Sequence, residues 1–78
     1  KFKVLRKEDI PAGGFIFFIR KALGMSAKHL AERLNISVPL IYKMEEREKE
    51  YSITLKTLAQ TAEALDCELV YAFVPKHL

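Results

Sequence analysis

The sequence contains few of the residues that build disulfide frameworks or metal centres, and it lacks the long apolar runs that build membrane spans. Its 78 residues include one cysteine, Cys67, and two histidines. A single cysteine excludes a disulfide within the chain and a multi-cysteine zinc site, and we expect neither a metal nor a cofactor. Apolar runs such as Phe15–Ile19 are far shorter than the roughly 20 residues that cross a bilayer. We therefore expect a protein of the reducing cytoplasm with no membrane segment.

Residue patterns of catalysis are also missing. The three glycines form neither a glycine-rich phosphate loop nor a serine nucleophile elbow. Acids alternate with bases in Glu45–Glu50, which is typical of a solvated loop rather than of paired catalytic carboxylates. Cys67 precedes an apolar stretch without a recognisable His/Asn pattern, which favours a small core residue. We predict that the protein is not an enzyme.

Length and charge divide the chain into three segments. A chain this short buries about 60% of its unfolded surface, which allows one domain with a modest core. The net charge is +3, and residues 1–14 hold four bases against two acids. We predict an extended basic arm over residues 1–14, a core domain over 15–66 and a tail over 67–78. The arm either follows DNA, as basic arms do, or forms a free terminus; its bases are Lys1, Lys3, Arg6 and Lys7.

Apolar spacing and helix-end residues predict four helices in residues 15–66. Gly24 ends the first helix, and Asn35 ends the second, because both residues readily adopt left-handed backbone geometry. Ser26, Ser37 and Thr54 supply the N-caps of the later helices. The predicted spans are Phe15–Leu23, Ala27–Leu34, Ser37 to about Glu46, and a fourth helix whose apolar face is Leu55, Leu58, Ala59, Ala62 and Leu65.

The hydrophobic period changes after Asp66. Apolar residues fill both faces of Leu69–Val74 until Pro75 ends the run, a pattern that predicts a β-strand. An edge strand of this kind is a template for pairing, so we expect it to pair with a second copy or with Phe2–Leu5. The predicted fold is mainly α, a four-helix domain with a short C-terminal β-strand.

The second and third helices have the spacing of a helix-turn-helix unit over Ser26–Glu46. Ala31 is small where the two helices approach, Asn35 makes the turn, and Ile36 and Ile41 set the angle between the helices. In this geometry the first helix crosses the DNA backbone while the second enters the major groove. The spacing therefore predicts binding to double-stranded DNA.

Three stretches resemble the Xre-like, phage-repressor type of helix-turn-helix family without gaps. They are Ile19–Ser26, Leu30–Ser37 and Ile41–Glu45. The resemblance implies a DNA-binding regulator. It also implies that an arginine of the first helix pairs with a glutamate that ends the third. Arg20 and Glu45 occupy those positions, so we expect a structural ion pair between them.

A narrower resemblance extends over nearly the whole chain. Gly13–Gly14, Ala22–Ser26, Ile53–Leu58 and Ala62–Pro75 are similar to the "mobile mystery protein A" group. That group carries an Xre-like domain and is found beside a Fic-domain protein, in a genetic context similar to that of antitoxins. The resemblance implies a repressor or an antitoxin-like autoregulator, with a Fic-domain toxin-like protein as a possible partner.

The candidate DNA-binding residues lie at the starts of the two paired helices. Where the family often carries glutamine, this chain has Ala27 and Val38, so we expect few direct base contacts and more reliance on phosphates and DNA shape. The missing glutamines leave open an alternative, a protein-interaction module that binds a toxin with weak or no DNA binding. The candidate residues are Ser26, Lys28, Ser37, Val38, Pro39, Leu40, Tyr42 and Lys43.

Overall fold

The computed structural model describes residues 10–77, and the chain folds there into four helices. These helices confirm the mainly α, four-helix prediction, and no described helix is long and apolar enough to cross a membrane. The bases of the predicted arm and the segment Phe2–Leu5 lie outside the described residues. The helices are α1 (Phe15–Ala22), α2 (Ala27–Leu34), α3 (Val38–Lys49) and α4 (Leu55–Ala64).

The turns between the first three helices follow from their end residues. Gly24 has a φ of 66° and Asn35 a φ of 58°, and this left-handed geometry ends α1 and α2. The Ser26 hydroxyl accepts a hydrogen bond of 3.0 Å from the His29 amide, which satisfies one free donor of the first turn of α2. The Thr54 hydroxyl caps α4 in the same way, through the Thr57 amide at 3.1 Å.

Helix α3 is longer than the sequence pattern indicates. The prediction of a solvated loop over Glu45–Glu50 was wrong, because the helix continues to Lys49. Two of the acids in this stretch are not solvated: Glu45 is buried and Glu48 is half-buried. Both carboxylates contact α1, as described below, and these contacts hold the last turns of α3 against the scaffold.

The core lies among the four helices, and α2 packs most extensively against α3. Leu30 and Ile41 are fully buried, as their apolar spacing predicts. On α4 the buried face differs from the prediction, since Leu55 and Ala59 are exposed while Thr61 is buried. Thr61 is tolerated there because its hydroxyl donates to the Thr57 carbonyl at 2.8 Å. The other buried hydrophobic residues are Ile16, Met25, Ala27, Ala31, Met44 and Leu65.

The predicted C-terminal strand is not formed within the described chain. A strand requires a hydrogen-bonded neighbour, and residues 67–77 pair with no other described segment. The side chains after Asp66 are largely exposed, with Val70 at 73% and Phe73 at 94%. Cys67 is exposed as well, so the prediction that it is a core residue was wrong: the chain leaves the core after the buried Leu65.

Helix α1 begins without a polar residue of its own at the N-cap. The cap position is Gly14, and the free amides of Phe15 and Ile16 donate instead to the two carboxylate oxygens of Glu48, at 2.8 and 3.0 Å. A carboxylate at a helix N-terminus is favoured by the helix dipole. Glu48 thus supplies acceptors for the first two amides of α1 and ties α3 to that helix.

Gly14→Ala is expected to destabilise the domain more than Gly24→Ala. Gly14 has a φ of 86° and a ψ of 161°, a backbone region essentially limited to glycine, so alanine costs about 3 kcal/mol. Its Cβ would also lie 2.7 Å from Glu48 Oε1. At Gly24, where a Cβ meets nothing within 4 Å, only left-handed strain of about 1 kcal/mol remains. Urea denaturation measures both; equal losses would contradict the role of Glu48.

Candidate nucleic-acid interface

A buried ion pair joins α1 to the third helix. Arg20 Nε donates to Glu45 Oε2 at 2.8 Å, and Nη2 donates to Oε1 at 3.3 Å. Arg20 is 5% exposed and Glu45 7% exposed, so both charges are held out of water. Arg20 Nη1 also donates to the Met25 carbonyl at 3.2 Å, where the chain turns towards α2. The pair therefore fixes α3 relative to both α1 and the start of α2.

Sequence reasoning missed two residues that position the helix pair. One is Glu48, which caps α1; its signal was a first helix with neither a polar cap nor an acid in its first turn. The other is Arg33, whose Nη1 donates to the Ala64 carbonyl at 2.8 Å. That carbonyl lies in the last turn of α4, where a positive charge is favoured by the helix dipole, so Arg33 ties α2 to α4.

The outer face of α3 is accessible along its first two turns. Pro39, Tyr42 and Lys43 are exposed, and Tyr42 retains 56% of its accessible surface. They face away from Ile41 and Met44, which are buried in the core, because residues three and four apart share one side of a helix. The outer face thus presents an ammonium group, a phenol and an apolar ring to one surface.

Two candidate residues at the start of α3 lie differently from the rest. Val38 is half-buried and packs against the hydrophobic core, so its expected outward orientation was wrong: the first helical position turns towards the scaffold. Leu40 is exposed at 43%, but it also lines a groove of about 230 Å³ with residues of α2 and α4. Of this pair, Leu40 offers the larger apolar surface to an outside partner.

The two helix starts differ in the backbone donors that they offer. At α2 the Ser26 hydroxyl is used by His29, and the first-turn amides of Ala27 and Lys28 have no acceptor among the described residues. At α3 the Ser37 hydroxyl makes no capping bond, so the expected side-chain cap is absent, and Ser37 is exposed. Pro39 has no amide hydrogen to donate, and the Leu40 amide donates to the Ser37 carbonyl at 3.1 Å. The start of α2 is therefore richer in free amides.

Charge on the outer face changes along α3. Lys43 lies near the start, and none of the salt bridges found within residues 10–77 involves it. Further along, Lys49 Nζ lies 3.3 Å from Glu46 Oε1, one turn away, and this exposed pair neutralises itself. Two exposed bases of α3 take no part in these salt bridges: Lys43, beside the exposed Tyr42, and Arg47, one turn further along.

Comparison with known proteins agrees with this geometry. A family model described as helix-turn-helix matches residues 16–71, more than two thirds of the chain, and covers all four helices except Phe15, the first residue of α1. Searches among curated proteins and solved structures found no match. The narrower "mobile mystery protein A" resemblance stays a prediction. A match over most of the chain, together with the paired helices and the exposed face of α3, shows that the chain belongs to the Xre-like helix-turn-helix family of DNA-binding regulators.

Proposed function

We propose that the protein is a transcriptional regulator that inserts α3 into the major groove of double-stranded DNA. The observation that carries this proposal is the exposed face formed by Pro39, Tyr42 and Lys43 on a helix held by the buried Arg20–Glu45 pair. A groove-reading helix must be rigid, because base contacts depend on sub-ångström placement of side chains. The pair supplies that rigidity by joining α3 to α1.

Phosphate contacts come from the starts of both helices. The free amide of the exposed Lys28 lies at the positive end of the α2 dipole, which attracts phosphate. The exposed Lys28 ammonium adds a charge at the same end, and Ser26 orders the turn. At α3 the uncapped Ser37 hydroxyl is a further donor. These contacts position the protein on DNA without reading its sequence.

Base contacts come from the outer face of α3. Lys43 reaches the O6 and N7 acceptors of guanine or a phosphate, while Pro39 and Leu40 contact thymine methyl groups. Tyr42 donates from its hydroxyl to a base edge or a phosphate. Because this set holds one charged donor, sequence preference depends partly on DNA shape and deformability.

Repression follows when such a protein occupies its operator. We propose a repressor or antitoxin-like autoregulator of the cytoplasm, acting as a homodimer whose half-sites lie about 34 Å apart on one side of the duplex. Support for the antitoxin role is the sequence similarity to the "mobile mystery protein A" group, and from it the proposed partner is a Fic-domain toxin-like protein. We propose no catalytic role for the protein.

A salt titration tests DNA binding directly. Genomic fragments selected by the protein serve as labelled duplexes, and fluorescence anisotropy measures Kd between about 50 and 200 mM salt. With six phosphate contacts in a dimer, affinity is expected to fall about 1,000-fold over that range. A shuffled duplex of equal length is the control for sequence preference. Binding that does not change with salt, or no binding at low salt, contradicts the proposal.

A second function is favoured by the apolar character of the same face. Pro39 and the exposed Leu40 can pack against the surface of a protein as well as in a DNA groove. Proline also removes one N–H donor from the start of α3. In this alternative the chain is an interaction module that binds a toxin. Tight binding to a Fic-domain protein together with failure to retain any DNA at low salt would favour the alternative.

A further inference from the structure

The segment that follows α4 exposes four large hydrophobic side chains within five residues. Val70 is 73% exposed, Tyr71 66%, Phe73 94% and Val74 50%. Contiguous apolar surface of this kind marks an interaction site in proteins that stay in solution. The chain reaches it through Asp66, whose φ of 62° turns it away from α4.

We propose that residues 68–76 pair antiparallel with residues 68–76 of a second copy about a two-fold axis through Ala72. This inference names the contact surface of the homodimer proposed above. The strand that residues 67–77 do not form with any described part of their own chain would then form between two copies. Its partner is identified by the sequence of the segment itself, which is complementary to its own reverse.

Symmetry limits the possible registers. Hydrogen-bonded and non-hydrogen-bonded pairs alternate along an antiparallel ladder, so a two-fold pair must place one residue opposite its own copy. With Ala72 at the centre, Glu68 lies opposite Lys76, both of which are exposed. A centre at Tyr71 puts Glu68 opposite Val74, and a centre at Phe73 puts Lys76 opposite Val70. The Ala72 register is the one that joins the two charges.

The same register matches the apolar side chains. Tyr71 lies opposite Phe73 of the second copy, Val70 lies opposite Val74, and the small Ala72 side chains meet at the axis. Aromatic, β-branched and opposite-charge pairs are the cross-strand neighbours that stabilise antiparallel sheets. Each of these pairs occurs twice because of the two-fold axis.

Pro75 is compatible with this arrangement. If Ala72 forms the hydrogen-bonded central pair, residues 68, 70, 74 and 76 also form hydrogen-bonded pairs, and Pro75 lies at a non-hydrogen-bonded position opposite Leu69. Proline has no amide to donate, so sheets tolerate it where the amide would point away from the neighbouring strand. The ladder therefore loses no hydrogen bond at Pro75.

Sedimentation equilibrium of the full chain, without DNA, tests the contact. The expected molar mass is twice the 9.0 kDa of the chain, and Phe73→Asp is expected to return the monomer. Because Phe73 is 94% exposed, the circular dichroism signal of the helices should stay unchanged in this variant. Leu23→Asp, an exposed apolar residue after α1, is the matched control and should remain dimeric. A wild-type monomer at high micromolar concentration, or a dimeric Phe73→Asp variant, overturns the proposal.

Charge exchange and hydrogen exchange test the register. Glu68→Lys and Lys76→Glu should each weaken dimerisation at least fivefold, and the double exchange should restore it.

The amides of Val70, Ala72 and Val74 should be protected in the dimer, whereas those of Tyr71 and Phe73 exchange rapidly. Single exchanges without effect, or protection of the odd-numbered amides, overturn the register. Protection in a monomer would assign the segment to pairing with residues 2–5 instead. Loss of the dimer while salt-sensitive DNA binding persists would overturn this contact and leave DNA binding through α3 standing.

Discussion

Arg20→Ala is expected to lower the free energy of unfolding by about 3–5 kcal/mol, because it leaves the buried Glu45 carboxylate without its counter-charge. The two side chains are joined by hydrogen bonds of 2.8 and 3.3 Å. The variant also loses the bond from Arg20 to the Met25 carbonyl. Since small domains are stable by only about 5–15 kcal/mol, this loss is a large fraction of the total stability. Urea denaturation followed by circular dichroism measures the change.

Lys21→Ala is the matched control for this prediction. Lys21 is exposed, and both its ammonium nitrogen and the Arg20 guanidinium carbon lie 5.5 Å from the centre of the Phe17 ring. Each variant therefore removes one positive charge and one cation–π contact. Only Arg20→Ala also leaves a buried charge, the Glu45 carboxylate, without a partner. Arg20→Met with Glu45→Leu should recover most of the stability, because neither charge is then buried. Equal losses for Arg20→Ala and Lys21→Ala would refute the role of the pair.

Lys43→Glu is expected to weaken DNA binding at least 100-fold while leaving the fold intact. The change replaces an exposed positive charge on the outer face of α3 with a negative charge facing phosphates. Loss of a good bidentate base contact alone costs about 1–3 kcal/mol, or roughly 5- to 150-fold. Anisotropy titrations on selected duplexes measure the effect, and thermal unfolding checks that the variant remains folded.

The control for Lys43 is Lys56→Glu, which makes the same charge change at an exposed residue of α4. We expect that variant to bind within about threefold of the original protein. Lys43→Met then separates two roles. A phosphate contact predicts uniform weakening on all sequences and a salt slope reduced by about one, whereas a base contact predicts relaxed preference at one position. If Lys43→Glu and Lys56→Glu behave alike, Lys43 does not contact DNA.

The local signals of the helix-turn-helix unit were readable because each acts within one turn of chain. Ser26 accepts from the amide three residues later, and Asn35 adopts the left-handed geometry that short polar side chains tolerate. Both predicted ends of α2 therefore agree with the structure. The apolar residues Leu30 and Ile41 are buried because their spacing allows one face to turn inward.

The errors fall where a distant partner decides the outcome. The composition of Glu45–Glu50 predicts a solvated loop. Glu48 nevertheless accepts hydrogen bonds from the amides at the start of α1, 32 and 33 residues away. Val38 was expected to face outward, but it packs on the core. Leu69–Val74 has the composition of a strand, and no described segment of the chain lies beside it to accept its hydrogen bonds. Composition reports what a segment prefers and carries no information about its neighbours.

For this protein the sequence alone determined the number of helices, the caps of α2 and α4 and the helix-turn-helix spacing, because those depend on interactions between residues a few positions apart. Tertiary structure decided which acids were buried, how far α3 extends and which side chains of α3 face outward. These features depend on Arg20 and the start of α1 meeting α3 across the fold. A buried charge or an unsatisfied helix end is stable only where a partner from elsewhere in the chain reaches it.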